Sequence, residues 1–185
     1  GDKMGYIVPL CHDPKRPRQD LATGHGCMKA TLADPKHIAI VRLSALGDIA
    51  MATPLIHALK ARYPMARLTW LAQPEFIPLL ESHPELDAVL PVPVASWRQA
   101  WRGRRPLSLI REVLRFRQIL RQQGFDWILD PQGLLKSGVL AWLSGARRRI
   151  GIDAREGSRW LLTETVASSA DRSRIASEYL ALAEY

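Results

Sequence analysis

From His37 onward the chain alternates short, β-branched apolar runs with amphipathic helical stretches, and only a few residues join one to the next. That alternation limits the fold more than anything else in the sequence. Strands linked through helical crossovers pair in parallel, and a parallel sheet needs helices on both faces to cover it. The runs at 37–42, 67–73, 88–94, 127–130 and 149–152 read as strands. The first, His37-Ile-Ala-Ile-Val-Arg42, is apolar throughout its interior, as a strand buried on both faces should be. Helical spacing appears at Pro54, Leu55, Ile56, Leu59 and Tyr63, again over 75–81 and 134–143, and from Ser173 to the end. The longest stretch, 107–123, is expected to turn Leu109, Ile110, Val113, Leu114, Phe116, Ile119 and Leu120 inward and its arginines outward, with Gly124 stopping it. Residues 95–106 read as a basic loop. The expectation for 37–185 is an α/β, Rossmann-like domain: a parallel sheet with helices on both faces.

Residues 1–36 are rich in Pro, Gly, Asp and Lys and keep no period; they read as a disordered leader, with a natural start expected at Met28. The rest is long enough to bury a core, and 47% hydrophobic with 24% charged residues excludes a wholly disordered chain. The two cysteines, Cys11 and Cys27, form no CxxC pair and no disulfide framework, which fits a reducing, cytoplasmic setting. No apolar run approaches the ~18 residues that cross a bilayer. Ile7 to Cys11 is too short for a signal h-region. A cytoplasmic protein, soluble or peripheral to the inner membrane, is expected.

The net charge of +8 is unevenly placed. Residues 95–149 hold 12 of the 26 Lys and Arg and only 3 of the 18 Asp and Glu, and the remainder is nearly neutral. Such a block suits a polyanionic partner, and it equally suits a solvated helix face.

Ligands of parallel sheets bind outside the carboxyl ends of the strands. Two segments fall there. Arg42-Leu-Ser-Ala-Leu-Gly-Asp48 joins the first strand to the first helix. Gly47 permits a tight turn. Asp48 stands near a helix start, either as a cap or as a general base at a cleft. With one glycine, the segment is not a GxGxxG dinucleotide loop. The second segment, Asp130-Pro-Gln-Gly-Leu-Leu-Lys136-Ser137, follows the fourth strand. It offers a carboxylate, the Gln132 amide, a glycine turn at Gly133 and a helix N-terminus suited to an anion. Lys136, set against the helix dipole, is either a ligand residue or a solvated cation.

In order and separation, the two segments resemble the heptosyltransferases of lipopolysaccharide core assembly. That family carries Ile-Val-Arg/Lys-x-Ser-x-x-Gly-Asp at the first junction, matched here by Ile40 to Asp48, and Asp-x-Gln-Gly-Leu-x-Lys-Ser at the fourth, matched by Asp130 to Ser137. Trp97-Arg98 with Trp101, and Ala154-Arg155-Glu156, resemble the type I enzymes, which add the first heptose. Departures from the type I pattern are Met51-Ala52, Ala95-Ser96 and Gly157-Ser158, and they leave the acceptor open.

The resemblance covers 37–185 and implies the amino-terminal, acceptor-binding half of a GT-B glycosyltransferase, its donor domain absent and the fragment inactive alone. It implies inverting transfer of heptose from ADP-heptose to a Kdo-lipid A acceptor, with no metal or other cofactor. Asp48 would be the catalytic base. Ser44, Gly47, Arg98, Gln132, Gly133, Lys136 and Arg155 would bind the acceptor, with arginines facing its carboxylates and phosphates. Two other functions remain to be weighed. A basic binding module for nucleic acid is one, although no helix-turn-helix, RNA-binding sheet motif or zinc module is present, and no nucleic-acid partner is expected. A small nucleotide-binding domain is the other.

Overall fold

The computed structural model describes residues 8–9, 34–152 and 157–166. The helix expected from Ser173 lies outside them. Seven strands form one sheet: β1 (Val8–Pro9), β2 (His37–Val41), β3 (Arg67–Ala72), β4 (Ala88–Pro91), β5 (Trp127–Asp130), β6 (Arg148–Ile152) and β7 (Glu164–Val166). Their order across the sheet is β1-β4-β3-β2-β5-β6-β7. β2 to β7 all pair in parallel; β1 pairs antiparallel with β4 at the edge. The chain winds outward from β2 to β4, then returns to lay β5 on the other side of β2. That reversal puts a topological switch point between β2 and β5, where a crevice opens at the carboxyl ends.

Helices cover both faces, as the alternation required. The strands bracket α1 (Leu46–Ala52), α2 (Pro54–Arg62) and α3 (Ile77–Glu81, entered through a 3₁₀ turn at Pro74–Phe76) on one face. They bracket α4 (Val94–Arg102), α5 (Pro106–Gln122) and α6 (Leu135–Ser144) on the other. Every residue of β2 is buried, so its side chains feed two cores at once. Ile38 and Ile40 face Leu55, Ile56, Leu59 and Trp70; Ala39 and Val41 face Phe116, Leu120 and Leu140.

Three readings of the sequence are corrected. Residues 95–106 are not a loop: most of them form α4, an amphipathic helix that buries Ala100 and sets Trp97 edge-on to Phe116, with ring centroids 5.3 Å apart. The inward face of α5 is narrower than the apolar positions suggested. Phe116 and Leu120 are buried, whereas Ile110 and Leu114 are exposed. The helix at 54–63 is preceded by a separate one, α1, which begins at Leu46.

The amino edge of the sheet is closed by polar contacts. His37 Nε2 lies 2.8 Å from Thr69 Oγ1, and Nδ1 lies 3.0 Å from the Gln123 carbonyl. Nδ1 therefore donates to the carbonyl and Nε2 accepts from the hydroxyl, the neutral tautomer. Burial holds the His37 pKa below the usual value, the same preference seen from the solvation side. Asp126 accepts from the Lys36 and His37 amides, and Asp87 accepts from the Leu68 amide and Lys60.

The α5 correction is testable. Phe116→Ala is expected to cost about 3–5 kcal/mol through a core cavity. Leu114→Ala should stay within about 0.5 kcal/mol. Urea unfolding of the two variants measures the difference, and equal losses would restore the wider inward face.

Candidate active site

The carboxyl ends of β2 and β5 bring the two segments together. Arg42 follows the last residue of β2, and its side chain is only 12% exposed. Its Nη2 lies 2.6 Å from Asp48 Oδ2, and its Nη1 donates to the Pro131 carbonyl at 3.2 Å. The Leu43 amide donates to Gln132 Oε1 at 3.2 Å. One guanidinium and one backbone amide thus tie the loop after β2 to the loop after β5 across the switch point. On the far side, Trp70 Nε1 donates to the Arg42 carbonyl and the Gln73 amide donates to that of Leu43.

Asp48 is not the N-cap. Ala45 holds that position, and Asp48 sits three residues on, in the first turn of α1. Its carboxylate reaches back to the Ala45 amide at a long 3.4 Å. Its side chain is 54% exposed, so it is held by Arg42 yet open to the crevice. A carboxylate fixed by a cation and facing solvent can take a proton from a bound hydroxyl.

Gly47 needs correction too. It lies inside α1, not in a tight turn, and a Cβ added there would meet nothing within 4 Å. Gly133 is the position that does require glycine, with φ +64°. Its amide and that of Gln132 donate to Asp130 Oδ1, at 3.1 and 3.0 Å, and its carbonyl accepts from Ser158 Oγ. Gln132 spends its side-chain carbonyl on Leu43. Ser44 is half-buried at the mouth, and Lys136 is exposed on the first turn of α6. Arg98 is exposed on α4 and takes no part in these hydrogen bonds. Arg155 lies outside the described residues.

Two polar groups of the site are absent from the set expected of the sequence. Arg42 organises the crevice, and Asp130 is wholly buried beneath it. The signal was present in both quoted segments, since a charge directly after an apolar strand run has to be satisfied by the site it borders. Ser137 stands beside Asp130, but its hydroxyl donates to the Leu134 carbonyl at 2.9 Å. Among the described residues, Asp130 Oδ2 and Arg42 Nε are buried without a hydrogen bond. Burial pushes the Asp130 pKa up to about 6, and the nearby Ser137 hydroxyl, the Gly133 and Gln132 amides and the Arg42 charge keep it from rising further.

A parallel sheet wound in both directions, with a carboxylate at its switch point, defines a Rossmann-like α/β domain. A solved Escherichia coli heptosyltransferase, WaaC with ADP-2-deoxy-2-fluoro heptose, shares the fold: TM-score 0.67 at 24% identity, covering 80% of this chain and 48% of that one. Residues 113–185 match the model of glycosyltransferase family 9 (heptosyltransferase). Lipopolysaccharide heptosyltransferase 1 of Escherichia coli is 27% identical over 123 residues, 66% of this chain and 36% of that protein. Its Pseudomonas aeruginosa counterpart is 30% identical over the same length, 66% of this chain and 33% of that protein. The chain is thus similar in sequence to lipopolysaccharide heptosyltransferases, and it spans about a third of the length of these curated relatives.

Two predictions follow from the local geometry. The raised pKa means that folding binds the Asp130 proton more tightly than the unfolded chain does. The penalty is absent below about pH 4, grows between pH 4 and 6, and reaches about 3 kcal/mol above that. Asp130→Asn removes it, so the melting temperature of the native chain should fall relative to the variant between pH 4 and pH 7; parallel curves would refute the burial of a charge. Gly47→Ala, in open helical space, should stabilise folding by roughly 0.5–1 kcal/mol in the same melts.

Proposed function

We propose that this domain serves the acceptor side of an inverting heptosyl transfer, from ADP-heptose to a Kdo-bearing lipid A precursor. The observation that carries this reading is the exposed Asp48 carboxylate pinned by Arg42 at the switch point. Asp48 takes the proton of the acceptor hydroxyl, whose oxygen attacks the anomeric carbon of heptose as ADP departs. The Arg42 contact uses one side of the carboxylate and fixes its direction, leaving the rest for the substrate hydroxyl. Gly47 adds room: a bulky sugar can approach the backbone of α1 where no Cβ stands. Lys136, on the first turn of α6, supplies positive charge where that helix also presents free amides, a setting for an acceptor carboxylate or phosphate. The donor relatives use, named in the solved complex as an ADP-heptose analogue, motivates the donor class.

The test is ADP release from ADP-heptose with Kdo-lipid A present, in the enzyme that contains these residues. Asp48→Asn is expected to lower kcat by about 10²–10⁴ with an unchanged melting temperature. Retained turnover would remove Asp48 as the base. Arg42→Lys keeps the charge and loses the fork; it should lower kcat less than Asp48→Asn does.

A further inference from the structure

The α4–α5 hairpin carries chemistry that the transfer site does not use. The two helices run antiparallel: Ser96 Oγ donates to Glu112 Oε2 at 2.7 Å, and Trp97 packs on Phe116, while the turn is closed by the Arg105 amide donating to the Ala100 carbonyl. α5 ends at the amino edge, where Gln123 meets His37. Its beginning and the hairpin turn therefore lie towards the carboxyl edge, the edge that bears Asp48. The 17 residues of α5 span about 25 Å, against about 17 Å for the five residues of β2, and its first half runs past the part of the helix that the sheet buries.

That first half is apolar outward. Leu107 is 81% exposed, Ile110 54% and Leu114 53%, and Trp101 on α4 is 73% exposed. At about 100° per residue, the three α5 side chains fall within about 60° of one another, one stripe on the helix. Arg111 and Arg115 flank it on one side and Arg117 on the other. Residues 94–122 hold eight arginines and one carboxylate, Glu112, which is turned inward onto Ser96. The outward face thus combines bulky apolar side chains with unopposed cations. Phosphate-backbone binding accounts for the arginines but not for the stripe. An anionic lipid surface accounts for both: headgroups for the arginines, the acyl boundary for Trp101, Leu107, Ile110 and Leu114.

We propose that the α4–α5 hairpin is a docking surface for an anionic phospholipid bilayer, lying in the interface with its apolar stripe inserted. This goes beyond the transferase reading and does not depend on it, because lipid binding is measured without any sugar. Among the described residues no helix is long and apolar enough to cross a membrane, so the hairpin would hold the protein on one face only.

Sedimentation of the 185-residue chain with vesicles tests the proposal. Phosphatidylglycerol–phosphatidylcholine vesicles should carry it down, and pure phosphatidylcholine vesicles far less. Replacing Arg102, Arg111 and Arg115 together with Gln should weaken partitioning by about fivefold per residue, roughly a hundredfold in all. Replacing Leu107, Ile110 and Leu114 with Gln should weaken it at least about tenfold and abolish what survives at high salt. Unchanged melting curves establish that both variants are folded. Equal sedimentation with the two vesicle types, or binding indifferent to either triple substitution, would overturn the proposal. So would duplex DNA that displaces the chain from vesicles with the Leu107, Ile110 and Leu114 substitutions making no difference to its binding. A dimer that those apolar substitutions dissolve, without altering vesicle binding, would assign the face to a second copy and also overturn it.

Discussion

Arg42 is a charge in a place where charge is expensive. The register of β2 carries it to the carboxyl edge, with most of its side chain out of water, and a buried guanidinium has to find acceptors. It finds them in different elements, the Pro131 carbonyl after β5 and the Asp48 carboxylate on α1. A planar fork can serve two acceptors in two directions; a lysine ammonium could not do so from the same stem geometry. The crevice that the switch point opens between β2 and β5 is therefore braced by solvating one cation. Its two walls are fixed relative to each other because each contributes an acceptor.

The same neighbourhood holds two of the three buried polar atoms that lack a hydrogen bond among the described residues, the third being Trp97 Nε1 on α4. Arg42 Nε and Asp130 Oδ2 lack partners, and Asp130 is held against its solvation preference. Buried polar groups elsewhere in the sheet, such as His37 and Thr69, are satisfied. Proteins keep such imbalance where binding or chemistry needs it. Two of the three atoms lie at the switch point.

The parallel sheet was legible because buried strands leave continuous apolar runs, and His37 to Val41 is one; the order of its strands was not. Loop chemistry was legible where backbone geometry forces a residue type, as at Gly133. What failed was anything decided by the third dimension. α4 was hidden because Arg98, Arg102, Arg104 and Arg105 look like solvated loop, and the packing of Trp97 on Phe116 is not visible in a local window. Ile110 and Leu114 share a helical stripe with each other but not with Phe116, and hydrophobicity alone does not say which stripe meets the sheet. β7 escaped because Glu164-Thr-Val166 is an edge strand, with mixed polarity and an ion pair from Arg148 to Glu164 in place of a core face. Arg42 and Asp130 were read as letters of a motif. Their importance rests on burial, which the letters do not carry.

The amino edge, stitched by His37, Asp126 and Asp87, is the opposite of the crevice. There, side chains satisfy backbone amides from neighbouring elements and anchor the starts of β2 and β3. Opening such a region means unpairing several elements at once. The two ends of the strands thus differ in how they are tied: backbone amides at the amino edge, one guanidinium and one glutamine at the carboxyl edge. Local rearrangement at the carboxyl ends would leave intact the register that the amino edge holds.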